Sequence, residues 1–348
     1  MQRRTLFAGM LGAGFLAGCA NPYVRSVEEN EERKAAMSPK LGTFTAEDAE
    51  ANDIELPANY SAENYKQMKL AVSFRTLDVK SVDKFAIERS QTLSAMFESE
   101  MTKLGRFKIL SRSDLGQLAL ADEKRFQDTS NIDSTTRMRL KQFGADYVLT
   151  AGITLKTENY NRVKHAELMV EVLVTYQLIN VSTGEIEDAD SAKGLALRQY
   201  FMTPSGRYIG GFNINDPRQG DSVVNEAAVR ALISLANKLG NKFPVGGRVI
   251  GGFGDMLQVD GGRNAGIVDS QVGVLYSNVY GVDVGLAYVN LVPGKTSTQG
   301  KIIKWTNNSD AKRLVQQYKK DPAAFAREFE TYVVTKSMPM PKDWQKYM

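Results

Sequence analysis

From Tyr147 onward the hydrophobic residues recur at every second position, and the pattern holds across a long stretch of the chain. Tyr147, Leu149, Ala151 and Ile153 share one face of a strand, and Leu168, Val170, Val172, Val174 and Tyr176 share one face of the next. The polar apex Glu158-Asn159-Tyr160-Asn161 lies between them, so the pair predicts a long antiparallel hairpin. Asn180-Val181-Ser182-Thr183-Gly184-Glu185 then supplies the Asn and Gly of a turn, and a third strand begins at Ile186.

Helical spacing brackets this sheet. On the N-terminal side, Lys69 to Phe74 reads as a buried strand. A helix capped by Ser81 or Asp83 follows, with Ala86, Leu93, Met96, Phe97, Met101 and Leu104 on one face, and Gly105 ends it. Arg106 to Leu110 predicts a second strand, followed by a helix carrying Leu115, Leu118 and Leu120 and another over 134–143. On the C-terminal side, Val224, Ala228, Ala231, Leu232, Leu235 and Leu239 mark a helix that closes the unit near Pro244; its small residues allow a close approach to the sheet.

Beyond Pro244 the runs Val249-Ile250, Met256 to Val259, Ile267-Val268, Val272 to Tyr276, Gly285 to Val289 and Lys301 to Ile303 are short strands separated by Gly, Asp and Asn. Their close spacing predicts a small β-barrel or sandwich. From Asp310 the chain reads as helical, with Phe325 and Phe329 one turn apart on a face able to dock, and Met338-Pro339-Met340-Pro341 ends regular structure. The fold class is α+β: an α/β sandwich with a long antiparallel hairpin, then a small all-β domain and a C-terminal helix.

The N-terminus predicts export. Arg3 and Arg4 precede an uncharged apolar run from Leu6 to Leu16, too short to span a bilayer, which needs about 20 residues. Leu16-Ala17-Gly18-Cys19 resembles the lipobox of bacterial lipoproteins, which implies cleavage between Gly18 and Cys19 and acylation of Cys19. One acyl chain binds a bilayer only marginally, so two or three are what make such an anchor lasting. Arg3-Arg4-Thr5-Leu6-Phe7 has some likeness to a twin-arginine signal, but any positively charged leader contains such residues; the general secretory route is favoured. From Ala20 to about Tyr65 the chain is polar and reads as a tether with at most a short helix. Expected boundaries are therefore a signal over 1–18, a lipidated tether over 19–65, an α/β domain over 66–244, a small β domain over 245–306 and a helical tail over 307–348.

At Phe107 to Arg112, Gly144 to Gly152 and Asn180 to Ile186 the chain resembles the CsgG family, outer-membrane lipoprotein channels for curli subunits and their periplasmic relatives. The resemblance spans about residues 66–243. It implies a ring-forming, acylated subunit of the outer membrane that faces the periplasm, assembles as a homo-oligomer and handles a secreted fibre or adhesin subunit. In the curli channel two hairpins per subunit build a shared barrel. The first hairpin here, around Glu158 to His165, lacks the added length for two spanning strands of about 9–11 residues. The second position is better supplied: Leu195, Leu197 and Phe201, then Tyr208, Phe212 and Ile214, alternate about a Thr203 to Gly206 turn. This stretch reads as a membrane hairpin, a subunit-contact hairpin or a surface flap. The other expectation is a pore-free periplasmic lipoprotein that docks on an envelope enzyme or scaffold, as relatives that activate peptidoglycan synthases do.

Motifs for catalysis, cofactors or metals do not emerge. Cys19 is the single cysteine and His165 the single histidine, so an internal disulfide, a His-based triad and a multi-histidine metal site are excluded. Gly294-Lys295-Thr296 mimics the end of a phosphate loop, but Val289 occupies the position of its first glycine. A net charge of +4 among 24% charged residues gives no electrostatic signature of nucleic-acid binding. The expectation is a non-enzymatic, oligomeric protein whose partners are a membrane and an envelope or fibre protein.

Overall fold

A computed structural model describes residues 31–39, 46–60, 67–80, 84–110, 138, 140–142, 144–161, 165–202, 208–209, 217–336, 338 and 341–347. In chain order the elements are α1 (Glu31–Met37), α2 (Ala46–Glu50), β1 (Lys69–Lys80), α3 (Lys84–Lys103), β2 (Lys108–Leu110), β3 (Tyr147–Asn161), β4 (His165–Asn180), β5 (Ile186–Met202), β6 (Tyr208–Ile209) and α4 (Pro217–Lys242). There follow β7 (Gly246–Phe253), β8 (Met256–Asp260), a 3-10 turn (Arg263–Ala265), β9 (Gln271–Val279), β10 (Val282–Pro293), β11 (Ser297–Trp305), α5 (Lys312–Lys320), α6 (Pro322–Glu328), β12 (Glu330–Thr335) and α7 (Lys342–Gln345). The fold class is mixed α+β.

The first unit is a six-stranded sheet in the order β2-β1-β3-β4-β5-β6, with β1 parallel to β2 and β3 and the rest antiparallel. Alternation decides its faces. Leu149, Ile153, Val172, Val174, Ala192 and Ala196 point to one side and pack with Leu93, Phe97 and Met101 of α3 and Ala228, Leu232 and Leu235 of α4. Small residues set the separation of α4 from the sheet: a Cβ at Gly194 would collide with the Ala227 carbonyl and the Ala231 nitrogen.

The turn over Asn180 to Glu185 is held by its own side chains. Asn180 Oδ1 accepts from the N–H groups of Ser182 at 2.8 Å and Thr183 at 3.2 Å, and Gly184 takes φ +79°.

The second unit is a closed barrel in the order β10-β11-β8-β7-β12-β9. Its sixth strand, β12, comes from the stretch expected to be helical, and it pairs antiparallel with both β7 and β9. Ile267-Val268 forms no strand; Ile267 is nevertheless buried in the barrel core. The pair α5 and α6 joins that core through Val315, Tyr318 and Phe325, so the face bearing Phe325 and Phe329 docks within the chain, the two rings 4.9 Å apart.

The presumed tether departs from expectation over its described part. Ile54 is buried against Val272, Val274, Tyr276 and Tyr288, and its carbonyl lies 2.5 Å from where a Cβ on Gly285 would be. Residues 46–60 therefore form a strap on the barrel. An isolated Ile and two Leu-Pro or Tyr positions carry too little periodicity to announce such packing. At the other terminus, Met338 and Trp344 return to the helical layer of the first unit.

Candidate docking site

Two surfaces arise from this arrangement. One is the side of the six-stranded sheet opposite α3 and α4. By alternation Thr150, Gly152 and Thr154 of β3, Leu173, Thr175 and Gln177 of β4, and Ser191 and Lys193 of β5 lie there. Its described residues are mostly small and polar, and a Lys193–Glu171 ion pair of 3.0 Å crosses it. At one end α1 covers the sheet: Ala36 and Met37 pack on Met169, Leu195 and Leu197.

The second surface is a cleft of about 950 Å³ where the strap, the start of β5, the end of α4 and the barrel converge. Glu47, Asp48, Asp53, Glu55, Asp188 and Asp190 line it with Lys238, Lys242 and Lys336. Two of the lysines are paired with carboxylates. Lys336 bonds Asp48, Lys238 bonds Asp190, and Lys242 Nζ donates to the Glu187 carbonyl at 3.0 Å. The hydrogen bond from Lys238 holds Asp190 below its ordinary carboxylate range. Tyr288 donates to Asp48 at 3.3 Å, and burial followed by the Asp48 charge pushes its phenol up to about 12. Lys304 Nζ donates to the carbonyls of Asp48, at 2.6 Å, and Ala51. The contacts to Asp48 and Ala51 hold the strap against the barrel.

Arg106 forms the floor between the two units. Its guanidinium, 1% exposed, donates to the carbonyls of Gly266 at 3.1 Å and Phe243, while Thr335 Oγ1 accepts from Arg106 at 3.3 Å and from Val245 N at 3.0 Å. Burial alone pushes its pKa down to about 9, and Nε has no partner among the described residues. Sequence reasoning assigned Arg106 only to the beginning of a strand.

Of the residues singled out from sequence, Leu195 and Leu197 lie on β5 opposite Glu171 and Met169, and both join the cluster under α1. Phe201 pairs with His165 on one side and Ile209 on the other, and Tyr208 pairs with Met202. Phe212, Ile214, Gly18 and Cys19 lie outside the described residues, as does the helix expected around Leu115, Leu118 and Leu120. Among the described residues no cluster of His, Cys, Asp and Glu is arranged to hold a metal ion, and no helix is long and apolar enough to cross a membrane.

The fold defines a class: a two-layer α/β sheet unit joined through a buried arginine to a closed β-barrel. The family model for the peptidoglycan-synthase activator LpoB matches residues 66–193, from before β1 into β5. This corrects the resemblance to the CsgG family, and with it the curli-secretion role that the resemblance implied. The physical reason is visible in the Asn180 turn. Its residues satisfy backbone groups locally, as they would in any hairpin of that shape, so the motif reports a turn and does not discriminate between families. No curated protein matches the chain. Among solved structures, lipoprotein GNA1162 from Neisseria meningitidis is 15% identical, covering 46% of this chain and 98% of its own, at a TM-score of 0.27. The LpoB C-terminal domains from Salmonella enterica and Escherichia coli are 21% and 22% identical, covering 38% and 37% of this chain and 86% and 83% of theirs, at TM-scores of 0.20 and 0.21. At those TM-scores the likenesses say nothing about activity.

Proposed function

We propose that the chain is a non-catalytic envelope lipoprotein, anchored in the outer membrane through Cys19 and facing the periplasm, that docks on a peptidoglycan synthase and raises its activity. The match of the activator model to residues 66–193 carries this reading. Support comes from the sheet within that stretch, whose side opposite the helices presents Thr150, Thr154, Thr175 and Gln177. Small polar side chains on a rigid sheet suit a docking face because a partner can approach the backbone without displacing bulky groups. Strands also hold such residues with less loss of freedom than a loop would.

The reading is tested by adding the purified chain to a purified peptidoglycan synthase and measuring both complex formation and glycan polymerisation. Binding with faster polymerisation is expected, and Thr154→Arg combined with Gln177→Arg should abolish both while the melting temperature stays within a few degrees. A chain that neither binds nor stimulates the synthase sinks the proposal.

A further inference from the structure

The barrel is unequal at its two ends. Strands β7, β9 and β11 all run toward one end, as their antiparallel pairing with β12, β8 and β10 requires. The hairpin tips at 253–256 and 279–282 therefore project from the same end, about 10 Å apart by strand spacing, with β12 between them.

Those tips carry large apolar side chains into solvent. Phe253 is 88% exposed and Tyr280 97%, with Met256, Val282 and Ile303 also exposed nearby. Tyr280 has φ +54° and is followed by Gly281 at +85°, a pair of left-handed residues in which an aromatic side chain opposes the backbone preference. A Cβ placed at Gly251, Gly254 or Gly281 would meet nothing within 4 Å among the described residues, so these positions are open.

A basic helix accompanies them. α5 has the sequence KRLVQQYKK; Val315 and Tyr318 are buried, while Lys312, Arg313, Lys319 and Lys320 are exposed. Its C-terminal end lies beside the first tip, because a Cβ at Gly252 would sit 3.1 Å from Pro322 Cβ. Acidic residues at this end include Asp255, Asp321, Glu328 and Glu330; Asp321 is exposed and caps α6 by accepting from Ala324 N at 2.9 Å. Lys319 also lies over the Trp305 ring, 4.7 Å from its centroid.

We infer that this end of the barrel is a contact surface for an anionic phospholipid bilayer, with Phe253 and Tyr280 entering the interface and α5 lying against the headgroups. Free-standing aromatic prongs beside a cationic helix fit a deformable apolar layer with a negative surface. A protein partner would need pockets matched to each prong. The inference does not depend on acylation of Cys19 or on the proposed synthase partner.

The test uses residues 20–348, which lack only the signal and the acyl site, sedimented with vesicles of phosphatidylcholine alone or mixed with phosphatidylglycerol. Binding is expected to the mixed vesicles and to weaken with salt. Phe253→Ser with Tyr280→Ser should remove it, and replacing Lys312, Arg313, Lys319 and Lys320 by Gln should weaken it on the order of a hundredfold. Val292→Ser, which changes an exposed apolar residue at the opposite end, should sediment as the parent does. Unchanged melting temperatures verify folding of each variant. Failure of the parent chain to sediment, or tip variants that sediment normally, overturns the inference. So does loss of crosslinking to a purified peptidoglycan synthase with vesicle binding unaltered, which would reassign the surface to protein docking.

Discussion

Arg106 and Thr335, 229 positions apart, meet at the junction of the sheet and the barrel, where the guanidinium donates to the threonine hydroxyl at 3.3 Å. The same hydroxyl oxygen accepts the Val245 N–H, so one side chain completes both the buried cation's shell and the backbone at the start of the barrel. Arg106→Met should destabilise the chain by about 3 kcal/mol, because the Gly266 and Phe243 carbonyls lose a charged donor without access to water. Urea unfolding checks the loss, and a second transition would show that the two units had uncoupled.

Gly194 tests the contact between α4 and the sheet. Gly194→Ala places a methyl group against helix backbone, which cannot rotate away as a side chain would. A loss of about 1–3 kcal/mol is expected, read by thermal or denaturant unfolding. A neutral substitution would mean that α4 is free to shift.

The C-terminal return gives a third case. Trp344 is 1% exposed and its indole N–H donates to Glu100 Oε2 at 2.7 Å on α3. Trp344→Ala should cost about 3–5 kcal/mol by leaving a cavity over the helical layer. Glu100→Gln, which retains an acceptor oxygen, should cost far less in the same unfolding assay.

The strap makes stability depend on alkaline pH. Tyr60 donates to Asp283, and burial followed by that hydrogen bond pushes its phenol up to about 12; Tyr288 rises similarly beside Asp48. Free tyrosine titrates near 10. A raised folded-state pKa means that the folded chain holds its proton more tightly than the unfolded chain. The stabilisation is complete below about pH 10 and is lost as pH rises toward about 12. Denaturation midpoints measured across that window should fall, and Tyr60→Phe should flatten part of the decline.

Local chemistry was legible wherever a short segment contains its own instructions. The alternation from Leu168 to Tyr176 corresponds to the inward face of β4, and Ala228, Leu232 and Leu235 form the buried stripe of α4. Glu330 to Thr335 was missed, although Tyr332, Val333 and Val334 suit a strand, because it follows immediately on two short helices. The strap was missed for a different reason. Its anchor is Ile54, one apolar residue among polar neighbours, and its partners are Val274 and Tyr288 more than two hundred positions away.

Sequence by itself determined the periods, the turns and the small residues along α4, since each depends on backbone geometry within a few positions. The expectation of an export signal and a lipobox likewise rests on adjacent residues alone. Only tertiary structure decided that β12 closes the barrel, that residues 46–60 strap it, and that Arg106 is a buried joint. Those outcomes are set by which surfaces can exclude water together, and an arginine followed by a strand looks the same in sequence whether its carbonyl partners lie 137 and 160 positions away or it faces solvent.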